Sequence, residues 1–69
     1  MEEILKIWAK EAMCEITRIK ETQDFFIIEI NDTMITKYDL TRLNRMTKMD
    51  WTSVNVNMYG KIVISLIKG

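Results

Sequence analysis

The chain has 69 residues, with 10 Lys and Arg balanced by 10 Asp and Glu, 48% hydrophobic residues, no proline, no histidine and one cysteine. That length allows one small domain burying roughly 60% of its unfolded surface, a core that a second copy would help to complete. The apolar fraction is too high for a disordered segment.

Composition removes most chemistry. Without histidine there is no Ser-His or Cys-His nucleophile pair and no imidazole base. A lone Cys14 cannot build a Cys/His zinc site, and Gly60 is the only glycine before the C-terminus, so a glycine-rich phosphate loop is missing. No cofactor and no metal are expected, and the chain reads as a binding protein rather than an enzyme. No apolar run reaches the ~18–20 residues of a membrane span and no leader pattern opens the chain, so a cytoplasmic, membrane-free protein is expected. The single cysteine fits a reducing compartment.

From Glu2 to about Met13 the spacing predicts a helix. Leu5, Trp8, Ala9 and Ala12 form one stripe, and Glu2 and Glu3 sit in the first turn where the helix dipole favours acids. The stripe could run on through Ile16 and Ile19, but the β-branched Glu-Ile-Thr-Arg-Ile stretch favours a strand from about Cys14 to Lys20.

After the polar break Glu21–Asp24, Phe25-Phe26-Ile27-Ile28-Glu29-Ile30 is a strand apolar on both faces, as in the middle of a sheet. Either Ile28 or Ile30 is a sensible partner for Ile16. Asn31-Asp32 supplies a turn.

Thr36-Lys37-Tyr38-Asp39 has the form of a capping box, with Ile35 and Leu40 as its hydrophobic staple. The helix it opens should end near Lys48 or Met49. Leu40, Leu43, Met46 and Thr47 share one face, and Lys37, Arg42, Arg45 and Lys48 lie opposite.

The last segment reads as a hairpin with a three-residue loop, Met58-Tyr59-Gly60, ending in a G1 bulge. That register pairs Val56 with Ile62, Val54 with Ile64 and Thr52 with Leu66 on one face. Asn55 then pairs with Val63, Ser53 with Ser65 and Trp51 with Ile67 on the other.

The expected fold is α+β, in the order αββαββ, a four-stranded antiparallel sheet with both helices on one face. Its far face would carry Ile19, Phe25, Ile27, Trp51, Val63 and Ile67, diluted by Thr17, Glu29, Ser53, Asn55 and Ser65. Covering some ~400 Å² there at roughly 25 cal/mol per Å² would yield about 10 kcal/mol before association costs. Six methionines lean the same way, since thioethers suit adaptable contacts.

A homodimer, or another protein as target, is therefore expected on Phe25, Ile27, Trp51, Val63 and Ile67, with Tyr59 at the loop tip. Small regulators and inhibitors have this size and style, including phage proteins that disable a host enzyme or defence complex. Charge supports an alternative. Residues 1–32 hold four cations against eight acids, net −4, and residues 33–69 hold six against two, net +4. Lys37, Arg42, Arg45 and Lys48 could then meet nucleic-acid phosphates, with Trp51 or Tyr59 stacking on bases. Overall neutrality weighs against it.

Overall fold

Apolar spacing and end signals act together in the first helix, α1, which spans Glu2–Glu11 in the computed structural model. The structure describes residues 1–32 and 34–68, the side chain of Thr52 excepted. Leu5, Trp8 and Ala9 are buried along one stripe, and Ala12 packs against the same core. The helix stops in a Schellman motif: Met13 takes a left-handed φ of 59°, Cys14 N–H donates to the Ala9 carbonyl at 3.0 Å, and Met13 N–H donates to Lys10 at 3.2 Å. This stop, not a longer helix, releases the β-branched stretch into β1, Ile16–Glu21. The strand starts two residues later than the sequence suggests.

β2 is Phe25–Ile30, and the tight connection closes where Thr22 N–H donates to the Phe25 carbonyl at 2.8 Å. The second helix, α2, covers Lys37–Thr47 behind the expected capping box: Thr36 Oγ1 accepts from Asp39 N–H at 3.1 Å while the Asp39 carboxylate accepts from Thr36 N–H. Leu40 is buried and Ile35 packs against the same cluster, as a hydrophobic staple requires. Lys48 ends the helix in a left-handed conformation, φ 58°.

β3, Asp50–Val56, and β4, Ile62–Ile67, form the second hairpin. Its loop is the three-residue one. Gly60 has φ 76°, its N–H donates to Asn57 at 3.0 Å, and Asn57 N–H donates to Lys61 at 2.9 Å. The Asn57 side-chain oxygen also accepts from Tyr59 and Lys61 N–H groups, which holds the turn.

All four strands are antiparallel in the order β1-β2-β4-β3, an α+β two-layer fold with both helices on one face. β2 and β4 run through the centre, where Ile28, Ile30, Ile62, Ile64 and Leu66 are buried beneath Leu5, Trp8, Leu40 and Leu43. Trp8 is fully buried, and its indole N–H donates to the Asp39 carbonyl at 2.8 Å, which joins the two helices. Among the described residues no helix is long and apolar enough to cross a membrane.

The edge strands depart from the expected register, each by one extra residue. In β1, Ile16 opposes Ile30 but Arg18 opposes Glu29, so Thr17 is extra and Ile19 falls opposite Ile28 on the helix side. In β3, Ser53 opposes Ser65 but Trp51 opposes Leu66, so Trp51 turns toward the helix side and Asp50 faces Ile67. Ile19 and Trp51 are thus corrected: neither belongs to the far face, because a bulge places two residues against one and reverses everything beyond it. The expected Thr52–Leu66 and Trp51–Ile67 pairs are corrected with them, since Trp51 opposes Leu66 and Asp50 opposes Ile67. Charged residues, Arg18, Lys20 and Asp50, take those places on the rim, as is common on edge strands.

Candidate functional site

The helices lie together on one face of the sheet, so the other face has no second layer. Its centre is built by β2 and β4, whose registers place Phe25 opposite Ile67, Ile27 opposite Ser65 and Glu29 opposite Val63. Directly opposed residues share a face, and residues two apart sit diagonally within reach of long side chains. Phe25, Ile27, Val63 and Ile67 therefore form one apolar block, split only by Ser65. Phe25, Ile27 and Val63 are half-buried by their neighbours, and Ile67 is 40% exposed. With Ile19 and Trp51 gone from it, the block has four apolar side chains instead of the expected six.

One end of this face is polar and internally satisfied. The Glu29 carboxylate accepts from the Thr17 hydroxyl at 2.8 Å and from the Asn57 amide at 2.7 Å, with the Lys61 ammonium at 3.8 Å. This network spans β1, β2 and the β3–β4 loop. A shallow groove of about 260 Å³ lies beside it, lined by Arg18, Lys20, Ile27, Glu29 and Val63. A carboxylate held by three partners, one from β1 and two from the β3–β4 loop, orients the groove wall.

The remaining predicted residues do not gather at this block. Trp51 is 40% exposed at the sheet edge, its N–H donating to the Asn44 side chain of α2 at 3.0 Å. Tyr59, 76% exposed, stands at the tip of the β3–β4 loop beside the exposed Met58. Lys37 and Arg45 are exposed on α2, and Lys48 is exposed at its C-cap.

Arg42 is not part of a solvated basic face. Its side chain is only 15% exposed. One guanidinium nitrogen donates to the Trp8 carbonyl at 3.2 Å, another lies 3.8 Å from Glu11, and the group stacks over the Tyr38 ring at 5.6 Å. It adds a second donor to the Trp8 carbonyl, which already accepts from Ala12 N–H at 2.9 Å, in the last turn of α1, where the helix dipole favours a cation. The spacing on α2 placed Arg42 outward, and only the position of α1 beside it reveals this second role.

A second depression, a cleft of about 430 Å³, opens between α1 and the edge strand β1 on the helix side. Ala9, Cys14, Ile16 and Ile19 are among the residues lining it. Cys14 is half-buried, and burial, with Asp32 and Asp39 nearby, pushes its thiol above the ordinary range. A raised pKa disfavours the thiolate, the form in which a cysteine reacts. The cleft was not foreseen, because it exists only where the bulge turns Ile19 toward α1. Among the described residues no group of three or more acids and cysteines is placed to hold a metal. No family model, no curated protein and no solved structure matches this chain.

Proposed function

We propose that this chain is a non-enzymatic protein-binding module of the regulator or inhibitor type, paired with a second copy of itself through the sheet face that the helices leave open. The single observation that carries the reading is the apolar block Phe25–Ile67–Ile27–Val63 on a sheet whose opposite side holds both helices. Two such sheets stacked face to face would complete a core ~10 Å thick, the ordinary geometry of sheet-on-sheet packing. A two-fold pair uses the same patch twice, so one apolar block suffices for both partners. The rim of Arg18 and Lys20 on one side and Asp50 on the other offers opposite charges for orienting the copies. The absence of histidine from the sequence also supports action by contact rather than catalysis.

The nucleic-acid alternative has less to rest on, since Arg42 is committed to Trp8 and Glu11 and the sequence is neutral overall. Its signature would be affinity falling steeply with salt.

The test is the solution mass of Phe25→Asp and Ile67→Asp variants beside Trp51→Asp. The reading expects the first two to be monomers with intact circular dichroism and Trp51→Asp to keep the dimer mass. A dimer that survives both far-face substitutions, or is lost only with Trp51→Asp, overturns it.

A further inference from the structure

The edge strand β1 has three properties that belong together. Among the described residues, nothing pairs with its outer side. The Thr22–Phe25 hydrogen bond fixes which groups point that way: bonding alternates along an antiparallel ladder, so Lys20 and Arg18 bond toward β2, and the N–H and C=O of Ile19 and Glu21 face outward. Both faces of the strand also border a depression, the 430 Å³ cleft on the helix side and the 260 Å³ groove on the far side. An added strand would direct alternate side chains to the two faces, one set toward the cleft and the other beside Arg18 and Lys20, which form the outer wall of the groove.

The two spaces differ chemically, and the difference selects an occupant. The helix-side cleft is lined by Ala9, Cys14, Ile16 and Ile19 together with the charged residues Glu2, Lys6, Lys10 and Glu15, two of each sign. The far-side groove is bounded by Arg18 and Lys20, neither of which is paired with a carboxylate among the described residues, while Glu29 is already held by Thr17, Asn57 and Lys61. A second copy of β1 is a poor occupant: antiparallel self-pairing centred on Ile19 would set Arg18 of each strand against Lys20 of the other, like charges directly opposed.

From this juxtaposition we infer that β1 is a docking edge for an extended segment of a different protein, one with apolar residues at alternate positions and acidic residues between them. The segment adds as a fifth strand. Its backbone bonds to Ile19 and Glu21, its apolar side chains fill the cleft against α1, and its carboxylates meet Arg18 and Lys20. This shares with the proposed function the reading that the chain binds protein, and it shares the residues Arg18 and Lys20, which also rim the face proposed for pairing. What it adds is the unpaired backbone edge of β1, which stacking of two sheets face to face does not use.

The probe is a blocked heptapeptide of alternating valine and aspartate, titrated into the isotopically labelled full chain and followed by amide shifts. Controls are the valine–lysine counterpart and a valine–aspartate peptide N-methylated at alternate residues in each of the two phases. Shifts centred on Ile16–Glu21 are expected at about 1 mM peptide or below. Loss of binding is expected in one methylation phase, and weakening of about tenfold or more in Arg18→Glu/Lys20→Glu, two charge reversals at the contact. The peptide controls keep the test valid if that double variant does not fold. The Ile67→Asp variant should bind the valine–aspartate peptide unchanged, which separates this surface from the sheet face. No binding at that concentration, equal binding of the lysine peptide, indifference to both methylation phases, or shifts confined to the Phe25–Ile67 face would each overturn the inference.

Discussion

Phe25 and Ile67 stand directly opposite each other in the β2–β4 ladder, on the sheet face away from both helices. Both neighbours in sequence, Phe26 and Leu66, point the other way into the core. One ladder thus builds a closed side and an open side from adjacent apolar residues. The open side is what distinguishes this chain from an ordinary two-layer domain, whose sheet alternates apolar inward with polar outward.

Arg42 should matter to stability far more than its basic neighbours. Arg42→Ala removes the hydrogen bond to the Trp8 carbonyl, the Glu11 ion pair and the stacking on Tyr38. A loss of about 1–2 kcal/mol is expected, since a charged hydrogen bond to a part-buried carbonyl disappears. Arg45→Ala, on an exposed position, should stay within about 0.5 kcal/mol of the parent. Urea unfolding of the two variants measures the difference; equal midpoints would mean that Arg42 is only a surface cation.

Two left-handed residues make opposite predictions from one conformational effect. Met13 carries a side chain at φ 59°, and is 89% exposed, so Met13→Gly removes a strained backbone at little packing cost. A gain approaching about 1 kcal/mol is expected, tempered by glycine's greater unfolded-state freedom. At Gly60, φ 76°, a Cβ would meet nothing within 4 Å. Gly60→Ala should therefore lose about 1 kcal/mol through backbone strain alone. Thermal melts of both report the pair; a destabilised Met13→Gly would show that its side chain packs in a way its exposure hides.

Trp8→Phe tests the joint between the helices. The substitution leaves the Asp39 carbonyl without the indole donor and opens space in the core. About 2–4 kcal/mol of destabilisation is expected from the combined cavity and lost hydrogen bond. Denaturant unfolding measures it, and a loss below about 1 kcal/mol would show that the helices are held chiefly elsewhere.

The thiol of Cys14 should react slowly. Burial first, then the carboxylates of Asp32 and Asp39, raise its pKa, so less thiolate is present at neutral pH than in an unfolded chain. The sign for stability follows. The folded chain holds this proton more tightly than the unfolded one, so the contribution is intact below the ordinary thiol pKa and declines as pH rises through the window up to the folded value. Labelling with a disulfide reagent across pH, native against urea-unfolded, is expected to show the native rate rising at higher pH. Equal native and unfolded rates at pH 7 would contradict it.

Element order, the α2 capping box, the β3–β4 loop and the one-sided helical layer were all legible from residue spacing. Each rests on interactions within a few residues, or on alternation, which a linear reading captures. Ile19, Trp51 and Arg42 were misplaced for a different reason. The bulges at Thr17 and between Trp51 and Ser53 have no local signature, since neither contains a glycine. They are settled by what lies across the sheet: Ile19 gains the core side opposite Ile28, and Trp51 N–H reaches Asn44. Arg42 likewise found its partners 31 and 34 positions away, at Glu11 and Trp8.

The most direct measurement is the sedimentation mass of the wild-type chain over a dilution series, at low and moderate salt. A rise toward twice the chain mass with concentration, abolished by Ile67→Asp, is the predicted result. A wild-type protein that stays at the mass of one chain at every concentration would contradict pairing through the uncovered sheet face.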